Sequence, residues 1–457
     1  MEDRKENRVD NDKFIAMTTE PVQRLILKLA LPTVISMLVT SLYNLTDTYF
    51  VGRISTQATA AVGVTFAVMS IIQAIGFFFG HGSGNFISRR LGARDIAAAQ
   101  QMSTTGFVYA FLFGILITAV GLLSLERFSI LLGSTPTILP YTKAYLGIIL
   151  LGAPFFTSSL VLNNQMRFQG NAMYAMIGIV SGAGLNAMLA PLFIFVFHLG
   201  ISGAAIATVI SQVFSFCLLL VMDYRSGGIH IQLNKFVPSW AFVGEIIRGG
   251  TPSLCRQGLA CLATLLLNVT AGAYGDAAIA GMSIVTRVSF FIYAFLIGLG
   301  QGFQPVCGFN YGAHLFERVR QGFHFSVGAG FVLLTVICSV AIFFAPEIVG
   351  TFRHDPEVIA VGTVALRFQL AILPFSSFNT VSNMMLQTIR MSVRASLLAS
   401  ARQGLFFIPL ILILPHIAGL RGVEVCQTIA DVFTLALTIP LTLPVLRSMK
   451  ASAKVHK

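Results

Sequence analysis

Apolar residues run along this chain in long blocks, and the polar residues that separate them come in short clusters. The blocks predict helices at 26–52, 58–86, 98–124, 138–166, 172–197 and 201–223, then at 244–273, 277–308, 319–347, 356–388, 393–416 and 420–446. Each is long enough for the roughly 20 residues that a helix needs to cross a hydrocarbon layer. Gly200, Asp276, Asp355 and the Ser134-Thr135-Pro136 cluster fall between blocks, where turn chemistry ends a helix. The stretch 225–239, with Gly227-Gly228, Asn234 and Pro238, is the longest polar interruption and reads as a linker. The expected fold is an all-α membrane protein of twelve transmembrane helices in two pseudo-symmetric six-helix lobes. Its divisions are a tail at 1–20, a first lobe at 21–224, a linker at 225–240, a second lobe at 241–447 and a tail at 448–457. The first tail has neither an apolar core nor a small-residue cleavage site, so it does not read as a signal peptide.

The two halves repeat one another at an offset of about 220 residues. Pro32 answers to Pro252, Gly80-x-Gly82 to Gly300-x-Gly302, Gly92-Ala93 to Gly312-Ala313, Pro154-Phe155 to Pro374-Phe375, and Asn163 to Asn383. Gly200-x-x-Gly203 answers to Gly419-x-x-Gly422 once the offset slips by one. A repeat of this length built from apolar helices is the mark of a transporter made of two related bundles with a substrate path between them. Six spans per half is an even number, so the halves enter from the same side and are related by an axis along the membrane normal.

Composition agrees: 55% of the 457 residues are hydrophobic and 11% charged, against about 25% charged in soluble domains, and mean hydropathy is +0.81. The net charge of +12 does not point to nucleic acid, because most of the basic residues sit at the ends of apolar blocks and they do not form one patch with interleaved aromatics. Arg89, Arg90, Arg94, Arg167, Arg225, Lys235, Arg318, Arg320, Arg390 and Arg394 fall in loops on one side, as do both basic tails. Arg53, Arg127, Lys143, Arg353 and Arg421 fall on the other. The positive-inside rule places the richer side, with both termini, in the cytoplasm. The six cysteines lie in apolar runs without ligand spacing and read as small core residues.

Asp47 is the acid set well within the first half's apolar part. About 20 residues from the helix start at 1.5 Å each carry it some 30 Å up. A carboxylate there is poised to exchange a proton, a sodium ion or a cationic substrate, and an acid solvated at the helix end is the plainer alternative. Asn186 in the fifth helix and Asn163, Asn164 and Gln165 in the fourth could face it. Amides coordinate cations or relay hydrogen bonds, and equally serve to bridge helices. In the second half Arg256, Arg287, Arg367 and Arg402 sit about ten residues inside their helices, with Asp431 at similar depth. One acid cannot satisfy four guanidinium groups, so a polar network is expected in which Asp431 pairs with Arg256 or Arg402. A Met-rich and aromatic lining suits varied ligands, with Tyr43, Met37, Phe155, Met282 and Phe378 as candidates. The glycine runs at 80–84 and 298–302 lack a preceding strand and the lysine of a nucleotide loop, and read as close helix packing. His81 and His324 have no ligand-spaced partners and read as interior or interfacial residues. No nucleophile motif appears, so an enzyme is not expected.

Several stretches together resemble the multidrug and toxic compound extrusion (MATE) family, in its bacterial DinF/MepA-like branch. They are Leu29-Ala30-Leu31-Pro32 through Tyr43-Asn44-Leu45-Thr46-Asp47 to Gly52, Arg256-Gln257-Gly258-Leu259, Tyr274-Gly275-Asp276-Ala277, Gly298-Leu299-Gly300-Gln301-Gly302-Phe303-Gln304-Pro305, Asn310-Tyr311-Gly312-Ala313, Arg402-Gln403-Gly404 and Ile429-Ala430-Asp431. The resemblance implies export of organic, often cationic compounds driven by proton or sodium influx, by a monomer among membrane lipid that uses no cofactor besides the coupling ion. Asp47 matches the first-helix acid that this branch uses for coupling, with sodium as a possible ligand, and Asn186 matches a fifth-helix amide. Ala190 stands where the branch often has an acid, and the seventh-helix acid of other branches has no counterpart near Ala260. A flippase for a lipid-linked precursor, of the same superfamily, is the alternative that the second-half arginines keep open.

Overall fold

The computed structural model describes residues 12–455. The side chains of Asn44, Leu45, Asp47, Thr48 and Thr56, and those from 453 onward, lie outside the described residues. Among the described residues the regular structure is helical throughout, with twelve helices long and apolar enough to cross a membrane. They are α1 Val22–Gly52, α2 Thr56–Gly92, α3 Ile96–Leu123, α4 Leu139–Phe168, α5 Ala172–Val196 and α6 Gly200–Arg225. The second set is α7 Trp240–Gly272, α8 Asp276–Gly312, α9 Phe316–Phe343, α10 Pro356–Thr388, α11 Ser392–Ala418 and α12 Leu420–Val455. The block predicted at 58–86 is one helix to Gly92, because polar Ser88, Arg89 and Arg90 close its last turns. α12 likewise runs past 448, where the sequence suggests a tail, to Val455.

Helix starts follow side-chain chemistry. Ser55 accepts from the Ala58 amide at 3.0 Å, Asp95 from Ala98 at 3.2 Å and Asp355 from Glu357 at 3.0 Å, each satisfying an amide that the first turn leaves open. Proline and extra residues break the regularity inside the spans. A π turn at Leu192–Val196 follows Pro191 in α5, a 3-10 turn at Leu373–Phe375 carries Pro374 in α10, and a second π turn spans Ala401–Leu405 in α11.

Two compact units form. One comprises the residues up to Thr19 with Ile35–Leu254, the other Glu20–Val34 with Cys255–Lys457. The division therefore falls inside α1 and inside α7, in each case two residues beyond the helix's interior proline, Pro32 or Pro252.

The first part of α7 thus belongs to the first unit, where it lies on α2. A Cβ on Gly82 would stand 2.5 Å from the Ile246 carbonyl, and one on Gly250 would stand 2.3 Å from the Phe78 carbonyl. In the second unit the first part of α1 lies on α8 in the same way, with Gly302 against the Ala30 backbone at 2.6 Å and Gly298 against Val34 at 2.6 Å. Gly82, Gly298 and Gly302 belong to the two sequence runs, and close packing is what they serve. Hydrogen bonds repeat as well. Asn163 Nδ2 donates to the Ala175 carbonyl at 2.9 Å, and Asn383 Nδ2 to the Ala395 carbonyl at 2.6 Å, both pairs related by the same offset. Arg94 and His314, another related pair, both hold left-handed backbone at φ 58° and 60°.

The segment 226–239 is strapped along the first unit. The Gln232 and Val237 amides donate to Thr104 and Thr105 hydroxyls on α3 at 3.2 and 3.3 Å, Gln100 donates to the His230 carbonyl, and buried Asp223 accepts from the Ile231 amide at 2.9 Å. A helical turn ahead of α1 seats on the same unit, with the Arg94 guanidinium 4.2 Å over the Phe14 ring and Lys13 donating to the Ser226 carbonyl.

A methyl group forced between these backbones must push the helices apart. Gly82→Ala and Gly302→Ala are each expected to cost about 1–3 kcal/mol, read as a lowered melting temperature of the purified protein. Gly63→Ala, with open space around its Cβ, should leave it unchanged or raise it.

Candidate functional site

The two units hold different polar interiors, each built where its helices pass closest. In the first unit the glycines of α2 make room for the amides of α4. The Cβ position of Gly80 lies 2.8 Å from Asn164 Nδ2, and that of Gly84 lies 2.2 Å from the Phe168 ring. Gln165 joins three helices, donating to Ser83 Oγ at 2.9 Å and to the Ser103 carbonyl at 3.0 Å while accepting from Ser103 Oγ at 3.1 Å. One turn on, Arg167 Nη2 donates to Asn164 Oδ1 at 2.5 Å and stands 3.5 Å from His81 Nε2. All of these side chains are buried. By sequence alone Arg167 falls among the loop charges and His81 is an interior or interfacial residue; the signal for their meeting is Asn-Asn-Gln-x-Arg on one helix facing the α2 glycine run.

Asp47 lies in the last part of α1, and its side chain is outside the described residues. The end of that helix packs on α5, since Val51 and Ala190 share an apolar cluster with Ala58, Tyr145 and Ile194. Ala190 is fully buried there, so the position where the branch often has an acid is an apolar contact. Asn186, one turn earlier, is buried and donates to Thr208 Oγ1 on α6 at 3.2 Å. Asn163 does not join it. Its partner Ala175 is eleven residues before Asn186 on α5, about 16 Å at the helical rise, so Asn163 bridges α4 to α5 and is not a neighbour of Asn186.

In the second unit Arg402 is the partner of Asp431. Its Nε and Nη2 donate to the two carboxylate oxygens at 2.8 and 3.2 Å, a bidentate pair. Gln427 Nε2 adds a third donor at 2.9 Å, and the guanidinium carbon lies 4.5 Å over the Tyr293 ring. Tyr293 in turn shares a 2.6 Å hydrogen bond with Thr380. Arg402 sits in the π turn of α11, which shifts the angular register of the side chains that follow in the helix. Arg256 donates to Asn383 Oδ1 at 3.1 Å, so it is tied to the helix-bridging amide of α10. Arg287 and Arg367 are not interior: both are exposed, and Arg367 Nε reaches the Ile342 carbonyl at 3.3 Å. Their side chains are exposed because of how each helix is rotated about its axis, which depth along the helix does not reveal.

Of the candidate lining residues, Tyr43, Met37 and Phe155 belong to the first unit and are half-buried. Phe155 sits in an aromatic group with Phe111 at 6.2 Å and Phe216 at 5.5 Å between ring centroids. Phe378, in the second unit, is half-buried with its ring 6.0 Å from Phe323. Met282 is 4% exposed and packs in that unit's apolar core with Ala278, Val285 and Leu366, so it fills the bundle and does not line a surface.

Twelve apolar helices in two units with repeated hydrogen bonds define a multi-pass membrane protein of the transporter type. The MatE family model matches residues 32–192 and 252–413, one match on each repeat, and the chain belongs to that family. It is 29% identical over 418 residues to the multidrug export protein MepA of Staphylococcus aureus strain MSSA476, covering 90% of this chain and 91% of that protein. To MepA of Staphylococcus haemolyticus strain JCSC1435 it is 28% identical over 404 residues, covering 88% and 89%. A multidrug resistance MATE family transporter of the MOP superfamily, solved in an outward-facing conformation, superposes with a TM-score of 0.90 at 25% identity, covering 96% of this chain and 98% of that one.

Removing one partner of the Arg402–Asp431 pair leaves a buried charge alone, and removing both does not. Asp431→Asn or Arg402→Gln alone is expected to cost about 3–5 kcal/mol, and the double variant less than the sum by more than about 1 kcal/mol. Unfolding free energies of the four proteins in detergent check this; strictly additive losses would mean that the pair is not coupled.

Proposed function

We propose that this protein is a secondary-active multidrug efflux antiporter that exports organic, often cationic compounds in exchange for protons or sodium ions. The observation that carries the reading is the extent of the likeness to a protein named for multidrug export, which runs through both repeats and nearly the full length of each chain. The second unit's charges also favour it over the carriage of an anionic lipid-linked cargo. Arg402 is neutralised by Asp431 and Arg256 is tied to Asn383, so two of the four second-half arginines are already engaged by the protein.

In the proposed cycle both termini are cytoplasmic, and the substrate is taken up from that side. Ion binding at Asp47 in α1 favours its release to the outside, and the ion-loaded state returns. Asn186 supports the same region of the first unit through Thr208. Tyr43, Met37, Phe155 and Phe378 are the side chains proposed to meet the organic substrate, with their half-buried apolar surfaces supplying shape without fixed polarity. One charge moving inward through 100 mV supplies about 2.3 kcal/mol, enough for a substrate gradient of roughly fifty-fold. No covalent chemistry is part of this cycle.

Asp47→Asn is expected to abolish drug resistance in a sensitive host at wild-type expression, and resistance equal to wild type would remove Asp47 from the cycle. Proteoliposomes carrying an imposed proton or sodium gradient decide the coupling ion, since substrate should collapse one and leave the other standing. Collapse of neither would overturn antiport.

A further inference from the structure

The chain passes from one unit to the other at three places: Thr19 to Glu20, Val34 to Ile35 and Leu254 to Cys255. The second and third are related by the offset of 220 and fall inside α1 and α7, two residues beyond Pro32 and Pro252. The first has no counterpart. The same offset carries 12–19 onto 232–239, which stays on the first unit together with the start of α7 that follows it. The short helix 12–19 is also on the first unit, but the start of α1 that follows it belongs to the second.

Both flanks of this extra crossing are seated by specific contacts, each within its own unit. On the first unit 12–19 touches three connections between helices. The Arg94 guanidinium, between α2 and α3, lies 4.2 Å over the Phe14 ring. The Met17 sulfur stands 3.6 Å from the Cβ position of Gly170, between α4 and α5, and Lys13 donates to the Ser226 carbonyl, just after α6, at 3.3 Å. Met17 is buried, whereas Ile15 on the same short helix is exposed. On the second unit Arg318 Nη2 donates to the Glu20 carbonyl at 2.6 Å and its Nε to Asn310 Oδ1 at 2.8 Å. Val22 Cγ1 stands 3.1 Å from the Cβ position of Gly322, and Val22, Leu25 and Ile26 are buried. The place that the offset would assign to 12–19 on the second unit is left open: His324 on α9, the counterpart of Thr104 under the strap, is exposed.

Two links set within helices, beside prolines that interrupt the backbone hydrogen bonding, leave two bodies able to turn about them. A third link at the start of α1, away from those two, removes that freedom for as long as both of its flanks are seated. The seat on the second unit is the firmer, because the start of α1 continues into the backbone contact of Ala30 with Gly302, whereas 12–19 rests on side chains over loops.

We propose that 12–19 is a latch: seated on the first unit it holds the start of α1 in place, and it unseats when the protein opens to take up substrate. The opening step rests on the antiporter reading above, and the latch itself on the chain crossing and its contacts. Seating lowers the population of the uptake state, and the apparent affinity for substrate falls with that population.

Spin labels at Asn234→Cys and His314→Cys, exposed positions with one on each unit, test this in the full chain with its six native cysteines changed to serine. Both lie on the side assigned above to the cytoplasm, so opening there lengthens the distance between them. Phe14→Ala with Met17→Ala should raise the ratio of the longer to the shorter distance by about tenfold or more, the worth of one buried methionine side chain. Arg94→Gln should raise it about two- to fivefold through loss of the ring contact, and Ile15→Ala should leave it unchanged. Ethidium taken up by inside-out vesicles should reach half-saturation at a concentration lowered by a similar factor in the Phe14 and Met17 double variant, a gain that a damaged protein does not give. An unchanged ratio in the double variant, an equal rise in the Ile15 variant, or a raised ratio with an unaltered half-saturation would each overturn the latch. Absence of ethidium transport by the wild type bears on the antiporter reading, and the distance ratio then decides the latch by itself.

Discussion

Two helix backbones approach most closely where one of them lacks a Cβ, and this chain places glycines at such contacts in both repeats, Gly82 and Gly302 at equivalent positions. Gly82 and Gly250 let α7 begin against α2, and Gly298 and Gly302 let α1 begin against α8. Because lipid tails are as apolar as the helices, dispersion and hydrogen bonding at short range take over the cohesive role that water gives to soluble cores. The glycine contacts therefore decide which part of α1 and α7 belongs to which unit. The change of unit falls just beyond Pro32 and Pro252, residues that cannot donate the backbone hydrogen bond of a regular helix and so leave it easier to redirect.

Within that shared frame the units have diverged in how they fill the space. Gly80 and Gly300 are equivalent, but one meets the amide of Asn164 and the other the thioether of Met384. Gly84 yields to the Phe168 ring, whereas its counterpart Gln304 is fully buried with neither amide atom hydrogen-bonded among the described residues. The first interior is thus an amide and hydroxyl ladder ending on a buried arginine, and the second centres on an ion pair under an aromatic ring. In a medium of low dielectric each polar group must find its partner within the bundle, which is why these networks cross three or four helices and do not stop at one.

The exteriors differ for a related reason. The first unit carries the connecting segment and the turn ahead of α1 across its loops, so its edge is satisfied by its own chain. The second ends in a helix that runs on to Val455, with Arg447 and Lys450 exposed near its end.

Twelve spans, their approximate ends, the twofold repeat and the family were legible in the sequence, because apolar block length and the spacing of glycine, proline and asparagine are properties of the linear chain. The partnership of Asp431 with an arginine followed from charge arithmetic, since one buried acid needs one cation. Which arginine it takes did not. Arg256, Arg287, Arg367 and Arg402 have similar depth along their helices, and only rotation about each axis, including the π turn at Arg402, separates the two half-buried ones from the two that are exposed. The same blindness to rotation put Met282 on a lining when it packs in a core, and ignorance of how α4 and α5 align along their length grouped Asn163 with Asn186, although its partner Ala175 lies about 16 Å along α5 from Asn186. The sequence by itself determined how many helices there are and which residues must find partners; the tertiary structure alone decided which partners, because a helix's azimuth is set by the backbones that its glycines allow it to touch.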